Sequence, residues 1–322
     1  MKLSLFKTEF PIMLAPMAGF TDMTYRSICR EHGCDFTFTE MISAKGLKYC
    51  GKSADLMETA PNERPCGIQL FGRDPDIMAE MARRICGENK GELALIDINM
   101  GCPAPKITGN GEGSALMKEP LTAARVIEAV VNASSLPVSV KFRKGWDSGH
   151  VNCVDFARMA EASGAAFVTI HGRTRDQMYS GAADWEVIAE AKAALSIPVI
   201  GNGDVTGGSS AIAIRDYTGC DGIMIARGAL GNPYVFQEVK AAFAGVPYPP
   251  PSNAERLDLA IAHVRGFVAH KGPHGVIEMR KHIAYYVRGM KGASVFRTAA
   301  TLAPTAEALI AMIEEYKDSI SE

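Results

Sequence analysis

The residue best placed to do chemistry in this chain is Cys102. It follows an apolar run at residues 93–98, whose aliphatic side chains on both faces predict a buried strand covered by helices. The asparagine, glycine and proline within residues 99–103 then predict a turn at the carboxyl end of that strand. Active sites of α/β sheets and barrels lie at this end. Cys102 is therefore our lead catalytic candidate.

A thiol at this position could act as an acid. Its reference pKa is about 8.5, so Cys102 stays mostly protonated at neutral pH unless a cation or a helix end lowers that value. The other cysteines are scattered, and no Cys-x-x-Cys pair or matched histidine pair occurs, which argues against a zinc site or a disulfide framework. We expect them to be packing residues in a reducing, cytoplasmic compartment, and we expect no bound metal.

Two further predicted strands end in charged or titratable residues. Lys141 ends the run at residues 137–141, and His171 ends the run at residues 166–171, with arginines two and four residues after it. A charge at the end of an apolar strand costs free energy without an anionic partner, which suggests a ligand. A satisfied structural group remains the alternative for each residue alone.

Glycine-containing turns follow the last two predicted strands, at residues 201–204 and 226–228. Barrels commonly bind phosphate at these two positions through backbone N–H groups and a helix N-terminus, and Arg227 would add a charged clamp. Ordinary turn chemistry is the alternative for either turn.

The elements that must position these residues alternate regularly. Predicted strands occupy residues 12–15, 36–39, 66–70, 93–98, 137–141, 166–171, 197–204 and 221–227, with helical or irregular crossovers between them. Eight strands over this length favour an α/β fold of the (β/α)8 TIM barrel type, in which the strand ends converge on one face. No Gly-x-Gly-x-x-Gly follows a strand, which argues against a Rossmann domain.

A proline-rich linker at residues 247–251 separates the predicted barrel domain, residues 1–246, from a second domain at residues 252–322. Apolar residues recur there at helical spacing, which predicts a small helical bundle. The predicted helices occupy residues 253–271, 276–290 and 305–316.

Positive charge is concentrated in that second domain. Residues 265–297 hold seven Lys or Arg and one acidic residue, and Tyr285 and Tyr286 lie among them. Cations mixed with aromatic residues are typical of nucleic-acid binding, with a solvated helix face as the alternative. The net charge of the whole chain is only −2, so a polyanion would have to bind a local patch of this kind.

Composition excludes several other classes. With 322 residues, 47% of them hydrophobic and 22% charged, the chain can bury a large core, which argues against disorder. No apolar stretch is long enough to span a bilayer, and the first residues lack the length and cleavage site of a signal peptide. We expect an unexported protein with no membrane partner.

Several motifs together carry a family resemblance. They occupy residues 15–19, 21–22, 68–72, 97–103, 113–116, 140–141, 171–175, 179, 183–185, 201–204, 279–282 and 296–297. At these positions the chain resembles the tRNA-dihydrouridine synthase family, closest to its bacterial B-type branch. The resemblance covers nearly the whole chain.

The resemblance implies a barrel that holds FMN at its carboxyl face and a helical domain that binds tRNA. The implied cofactor-binding residues are Pro16, Met17 and Ala18 along the flavin, Gln69 on its pyrimidine edge, Lys141 and His171 beside the ring, and Asn202, Gly203, Asp204, Ala226 and Arg227 at the phosphate. The implied substrate-binding residues are Asn99, Arg173, Arg175, Arg280, Lys281, Tyr285, Tyr286, Arg288 and Arg297.

The implied reaction reduces the C5–C6 bond of a uridine in tRNA. NADPH first reduces FMN, N5 of the reduced flavin gives a hydride to C6, and Cys102 protonates C5 from the other face. The target base must leave its stacked surroundings to lie on the flavin, which is a use for a separate RNA-binding domain.

The chain departs from the family pattern between the cysteine and the motif at residues 113–116. Pro105, Gly109 and Glu112 are the differences, whereas Lys106 is retained, so the RNA contacts of this loop are not carried over. Ala226 stands where a glycine is common, a small change that we expect to be tolerated.

Two other functions stay open at this point. A flavin barrel could act on a free pyrimidine, as dihydroorotate dehydrogenases do, but the basic helical domain would then have no purpose. A barrel that has lost catalysis could bind RNA only, and the presence of Cys102, Lys141 and His171 argues against that interpretation.

Overall fold

A computed structural model describes residues 6, 8–50 and 54–321. Eight parallel strands form one sheet in the order β1-β8-β7-β6-β5-β4-β3-β2. They are β1 (Ile12–Leu14), β2 (Phe38–Ser43), β3 (Cys66–Phe71), β4 (Leu93–Met100), β5 (Val138–Gly145), β6 (Phe167–Thr174), β7 (Val199–Asn202) and β8 (Gly222–Ile225). The N–H of Leu14 donates to the carbonyl of Phe36 at 3.0 Å, which brings β1 to the β2 edge. The predicted (β/α)8 barrel is therefore confirmed.

Helices cover the outside of the strands in chain order. They are α1 (Met23–Glu31), α2 (Ala44–Cys50), α3 (Pro75–Glu88), α4 (Pro105–Thr108), α5 (Pro120–Ala133), α6 (Cys153–Ala162), α7 (Glu186–Ala194), α8 (Gly208–Thr218) and α9 (Val235–Phe243). Aspartates begin two of them: the carboxylate of Asp22 accepts the N–H groups of Thr24 and Tyr25 in α1, and Asp74 does the same for α3.

The barrel has an inner and an outer core. One buried apolar cluster is formed by residues of the strands and of the segments next to them: Met13, Ala15, Phe36, Phe38, Leu95, Phe167, Ile200 and Met224. A larger buried cluster fills the space between the strands and the helices. The two layers explain why the strands carry apolar residues on both faces.

Four strands, β2, β4, β5 and β6, run at least two residues past their predicted ends. Lys141 was expected to end its strand, but β5 continues to Gly145 because Arg143 and Gly145 still pair with His171 and Thr174 of β6. Asn99 likewise lies inside β4, and β2 runs to Ser43 rather than ending at residue 39. The placement of Lys141 at a strand end was therefore wrong, and its side chain is instead in an interior row. The same correction applies to His171, because β6 continues to Thr174.

Four helices form the C-terminal region of the described residues: α10 (Asn253–Lys271), α11 (Gly275–Tyr286), α12 (Ala293–Ala300) and α13 (Ala306–Ser321). The bounds predicted for α10 are confirmed. The predicted helix at 276–290 ends four residues early, at Tyr286, and α12 was missed, as was α9 in the barrel. The four helices pack around a buried cluster of their own, and residues 246–252 connect them to the barrel without helix or strand.

The helical region packs directly against the barrel. Tyr25 of α1 stacks on His263 of α10 with ring centroids 5.3 Å apart. On the other side of the contact, a Cβ at Gly231 would lie 2.4 Å from the carbonyl carbon of Tyr285, so the loop after β8 touches the backbone of α11. Helix α11 is thereby held beside the carboxyl end of the barrel.

Candidate active site

Polar side chains line the inside of the barrel near the carboxyl ends of its strands. Strand side chains alternate between faces, so residues two apart on one strand share the inner face. The polar residues that make hydrogen bonds or close polar contacts in this interior are Gln69, Asp97, Asn99, Ser139, Lys141, Arg143, His171, Arg173 and Asn202. They lie above the apolar inner core. All of them except Asp97, Ser139 and Arg143 were predicted as site residues from the sequence.

Cys102 is fixed at the rim of this group by its own backbone. Its N–H donates to Oδ1 of Asn99 at 2.9 Å, and its carbonyl accepts from both the N–H and the hydroxyl of Ser114, at 3.1 and 2.9 Å. Gly113 has φ of +60°, and a Cβ there would lie 2.9 Å from the carbonyl oxygen of Cys102. A glycine is required at that position, which is how the turn can close tightly on the cysteine.

The thiol of Cys102 is protonated at neutral pH. Burial raises its pKa above the ordinary value, against the opposing effects of a backbone hydrogen bond from Ala104 and the charges of Arg143 and Lys141. A protonated thiol can donate a proton, whereas a thiolate would act as a nucleophile.

Lys141 is a cation on the inner face of β5. Its Nζ donates to Oδ1 of Asn202 at 3.0 Å, and Nδ2 of Asn202 donates to the carbonyl of Met224 at 2.7 Å. Burial, followed by the charge of Arg143, lowers the pKa of Lys141 to about 8. The ammonium group is therefore still mostly charged at pH 7.

Arg143 is a site residue that the sequence analysis missed. Its Nε donates to the carbonyl of Gly101 at 2.8 Å, and Nη1 donates to the carbonyls of Thr174 and Met178 at 2.8 and 2.9 Å. Burial lowers the pKa of its guanidinium to about 10, so it remains charged. The alternation Lys141-x-Arg143 on one strand was the signal that could have revealed it.

His171 is neutral. Burial, followed by the charges of Lys141 and Arg143, holds its pKa well below the ordinary value. Nη1 of Arg173 lies 3.4 Å from its Nε2. A neutral imidazole beside several cations can accept a hydrogen bond without adding to the positive charge.

The turn after β7 is tied to the loop after β6 through Asp204. Nη2 of Arg173 donates to its carboxylate at 2.8 Å, Nη2 of Arg227 lies 3.5 Å from it, and the N–H of Ala183 donates to it at 2.7 Å. Because the carboxylate of Asp204 is already engaged by these groups, its role in holding a phosphate stays a prediction that rests on its backbone rather than on its side chain. Only the backbone of this turn, where Asp204 has φ of +58°, suits an anion.

One aromatic ring lies between Arg143, which contacts the cysteine turn, and Arg227, which follows β8. The guanidinium of Arg227 lies 4.9 Å from the ring centre of Tyr179, and that of Arg143 lies 5.8 Å from it. Since Arg143 also holds the carbonyl of Gly101, Cys102 is at the same end of the barrel as Lys141 and Arg227. The predicted catalytic and cofactor-binding groups therefore do meet at one face.

The remaining predicted barrel residues frame the opening. Pro16, Met17 and Ala18 form the loop after β1, in which the N–H of Met17 donates to Thr21 and the N–H of Gly19 to Glu40, at 2.8 and 2.6 Å. Ala226 follows β8 directly. Arg175 is partly buried, with its guanidinium 4.6 Å from the ring centre of Trp146.

These residues fit a phosphorylated, electron-rich ring cofactor. The donor set includes the cations Lys141, Arg143 and Arg227, which would balance both a phosphate and negative charge on a reduced ring. At Gly203, with φ of +134°, a Cβ would lie 2.6 Å from Cβ of Ala183, so the backbone turn is open only to glycine. Gln69 is fully buried and, after its two contacts inside the barrel, retains one N–H and one lone pair for a ligand.

Helix α11 brings some of the predicted RNA-binding residues beside this opening. Lys281 lies 5.3 Å from the ring centre of Phe20, and Tyr285 packs edge-on against the same ring with centroids 5.5 Å apart. Arg288 lies 5.1 Å from the ring centre of Tyr285 and is exposed, as is Arg297 on α12.

Two other predicted RNA-binding residues are engaged inside the protein. Tyr286 is fully buried, and its hydroxyl lies 3.1 Å from Nδ1 of His263, so assigning its side chain to RNA contact was wrong. It packs in the core because α11 turns that face toward α10. Arg280 donates to the carbonyl of Ala303 at 2.6 Å and is partly buried, so it also supports the helical bundle.

Comparison with known proteins decides the family. A family model described as dihydrouridine synthase (Dus) matches residues 13–321. The chain belongs to the dihydrouridine synthase family. It is 40% identical over 312 residues to tRNA-dihydrouridine synthase B of Xanthomonas campestris, covering 96% of this chain and 93% of that protein. It is also 40% identical over 288 residues to the probable tRNA-dihydrouridine synthase 1 of Synechocystis, covering 89% and 80%. The predicted family and its B-type branch are confirmed.

A likeness to solved structures concerns the fold alone. The structure of histamine dehydrogenase from Rhizobium sp. 4-9 matches with a TM-score of 0.51 and 14% sequence identity, over 82% of this chain and 49% of that chain.

Within the described ranges, no helix has the length and apolar character needed to cross a membrane. The same described residues contain no group of three or more His, Cys, Asp or Glu arranged to hold a metal ion.

Proposed function

We propose that this protein is a flavin-dependent enzyme that reduces uridine to 5,6-dihydrouridine in tRNA. The observation that carries the proposal is the position of Cys102: a protonated thiol fixed at the carboxyl face of the barrel beside Lys141 and Arg143, in a chain that belongs to the dihydrouridine synthase family. Relatives that carry the name tRNA-dihydrouridine synthase support the same activity.

The cofactor proposed is FMN, reduced by NADPH. The loop of Pro16, Met17 and Ala18 would lie along the ring, Gln69 would bind its pyrimidine edge, and Lys141 and His171 would lie beside it. The backbone of Asn202, Gly203, Asp204 and Ala226, together with the side chain of Arg227, would bind the phosphate. Bound in this way, a reduced flavin supplies the hydride for C6 of the uracil ring.

The chain itself supplies the proton and the orientation. Sγ of Cys102 donates its proton to C5 of the base, and its raised pKa keeps that proton available at neutral pH. The turn that holds the cysteine at both its N–H and its carbonyl keeps the sulfur at one place, which matters because misplacement of a reacting group lowers the rate steeply.

Fixed charges stabilise the reacting groups. As electrons move into the uracil ring, negative charge builds on its carbonyl oxygens, and the cations Lys141 and Arg143 are already in place to stabilise it. Asn99 of β4 and Arg173 of β6, both on the inner face of the barrel, would contact the substrate around the same opening, as would Arg175.

The helical region would bind the rest of the tRNA. Lys281 and Tyr285 lie at the contact with the loop after β1, and Arg288 and Arg297 are exposed farther along. Charged and aromatic side chains of this kind bind phosphate and stack on bases. We place the reaction in the cytoplasm, where tRNA is processed.

The test uses protein reconstituted with FMN, NADPH and tRNA that lacks dihydrouridine. We expect a yellow protein that forms dihydrouridine in tRNA and leaves free uridine unchanged. Protein that cannot be reconstituted with flavin would contradict an enzyme of this kind. Equal reduction of free uridine or uracil would instead favour the free-pyrimidine alternative.

A further inference from the structure

A line of hydrogen bonds connects the inside of the barrel to the cysteine turn. Oδ2 of Asp97 accepts from Nε2 of Gln69 at 2.6 Å, and Oε1 of Gln69 accepts from Nδ2 of Asn99 at 2.9 Å. Oδ1 of Asn99 in turn accepts the N–H groups of Gly101 and Cys102, at 3.1 and 2.9 Å. We call Asp97, Gln69 and Asn99 the amide relay. Its three side chains come from the adjacent strands β3 and β4.

The groups at the two ends of the amide relay fix the donor-to-acceptor direction of its hydrogen bonds. A backbone N–H, such as that of Cys102, can only donate, and an ionised carboxylate, such as that of Asp97, can only accept. The two amides between them must therefore point their NH2 groups toward Asp97 and their oxygens toward the cysteine turn. Without a fixed acceptor at Asp97, Gln69 could turn its amide over, and Asn99 would lose its partner.

Asp97 is held as an acceptor by its surroundings. It is 1% exposed, and its second oxygen accepts from the hydroxyl of Ser139 at 2.6 Å. Burial raises its pKa to about 6, against the hydrogen bonds of Gln69 and Ser139 and the charge of Lys141, so it is mostly ionised at neutral pH. The proposed reaction assigns no role to this buried acid.

We propose that Asp97 is a positioning residue that fixes the orientation of Gln69 and Asn99 and, through them, the position of Cys102. This inference deepens the proposed function, on which it rests for the role of the thiol. The same acceptor also sets which of the free hydrogen-bonding groups of Gln69 faces a bound ring.

Asp97 has a second, electrostatic effect on Lys141. The pKa of Lys141 is lowered by burial and by Arg143, and it is raised by Asp97 and Cys102. His171, neutral, and Arg173, paired with Asp204, are the other titratable or charged groups on the neighbouring strand β6. Loss of the Asp97 charge should therefore lower the pKa of Lys141 further.

Two variants separate the acceptor from the charge. Asp97→Ala removes both, whereas Asp97→Asn removes the charge and keeps an amide oxygen for Gln69, with its NH2 group turned to the oxygen of Ser139. Gln69→Ala breaks the amide relay at its next member and leaves Asp97 in place. The readout is alkylation of Cys102 by iodoacetamide in the flavin-free protein, measured by mass spectrometry relative to exposed Cys50 in the same chain.

We expect Asp97→Ala and Gln69→Ala to change the Cys102-to-Cys50 ratio by about fivefold, the factor expected for one lost hydrogen bond. Asp97→Asn should stay close to wild type, and the Asp97→Ala/Gln69→Ala double variant should change no more than either single variant. In flavin-loaded Asp97→Asn, the alkaline limb of the rate of dihydrouridine formation should move to lower pH.

The proposal fails if folded Asp97→Ala keeps the wild-type ratio, if Asp97→Asn behaves like Asp97→Ala, or if the two single effects add. If Asp97→Ala does not fold, Gln69→Ala decides the same question. Because alkylation needs neither flavin nor tRNA, a protein that shows the expected ratios but forms no dihydrouridine would overturn the proposed function and leave the amide relay standing.

Discussion

At the scale of single residues, burial has opposite effects on the two central groups. It raises the pKa of Cys102, which keeps the thiol protonated, and it lowers the pKa of Lys141 to about 8, which leaves the ammonium charged only up to that pH. The site can therefore hold a proton donor and a cation side by side near neutrality. Above pH 8 Lys141 loses its charge, whereas Arg143, with a pKa of about 10, keeps its charge to higher pH.

Lys141 should define the alkaline limit of the reaction. We expect the rate of uridine reduction to fall as the pH rises through about 8, because Lys141 then loses its proton. Lys141→Arg, which keeps a positive charge at higher pH, should move that limit upward even if the rate itself is lower. The measurement is the single-turnover rate against pH at saturating tRNA, and an identical alkaline limb in both proteins would contradict the assignment.

The same lysine should affect how the free energy of unfolding of the flavin-free protein depends on pH. Its pKa is about 8 when folded and 10.5 ordinarily, so between these values the unfolded chain binds more protons than the folded one. The contribution of Lys141 to the free energy of unfolding should therefore increase as the pH rises from 8 to 10.5. Denaturant titrations should show that gain in wild type and a smaller one in Lys141→Met; equal slopes would contradict the lowered pKa.

The sequence indicated which residue types mattered more reliably than where their strands end. Lys141 was singled out correctly as a charge in an apolar run, but the run was taken to stop there. Arg143 was missed for the same reason, since an arginine after the end of a strand has no defined face. The pairing of β5 with β6 extends the strand, and that is a contact between distant parts of the chain.

At the scale of elements, α11 has two faces with different tasks. One face carries Met279, His282, Ile283 and Tyr286, which are buried against the rest of the helical region and the barrel. The other presents Lys281 and Tyr285 toward Phe20 in the loop after β1. The helix thus joins a hydrophobic core to the opening of the active site.

Lys281 of α11 and Arg288 in the turn after it should bind tRNA. Lys281→Ala and Arg288→Ala should each weaken tRNA binding and reduce the slope of log affinity against log salt by about 1, as expected for one lost phosphate contact. Filter binding or fluorescence titration at several salt concentrations measures both quantities. Arg125→Ala, which removes an exposed cation on barrel helix α5, is the matched control and should change neither.

Tyr286 provides an opposite test on the same helix. Tyr286→Phe removes only the hydroxyl that contacts His263, so tRNA affinity should stay unchanged while the melting temperature falls slightly. Weaker tRNA binding without loss of stability would restore Tyr286 as an RNA contact. The spacing of residues 279, 282, 283 and 286 already placed this tyrosine on the apolar face, which the emphasis on paired aromatic residues overlooked.

At the scale of the whole molecule, the helical region is docked so that α11 lies beside the barrel opening. The loop after β8 meets the backbone of α11 at Gly231, which has φ of +65°. Tyr25 and His263 stack at the neighbouring contact between α1 and α10. This docking sets the distance between a tRNA held by the helices and a base entering the barrel.

Docking can be disturbed at one glycine with a matched control at another. Gly231→Ala should destabilise the protein by about 2–4 kcal/mol, because the new methyl group would overlap the backbone of Tyr285 and Tyr286. Gly245→Ala, at φ of +68° with no atom within 4 Å of the new methyl group, should cost only about 1 kcal/mol. Equal losses of unfolding free energy would show that the close contact does not stabilise docking.

The barrel was predictable from its sequence because the strands repeat in a regular order with polar residues at matching positions. The docking was not, because it depends on contacts such as Gly231 with Tyr285 that join segments more than 50 residues apart. The extra helix α12 was missed for a local reason: its apolar stripe is short, and glycine and exposed Val295 obscure it.

The most direct test of the account is single-turnover reduction of tRNA by Cys102→Ala. The variant, loaded with flavin and reduced beforehand, should bind tRNA with wild-type affinity and form dihydrouridine about 10²- to 10⁴-fold more slowly, the range expected when a general acid is removed. Cys50→Ala, which removes an exposed cysteine outside the site, should react at the wild-type rate. A wild-type rate in Cys102→Ala would contradict the central claim that this thiol delivers the proton.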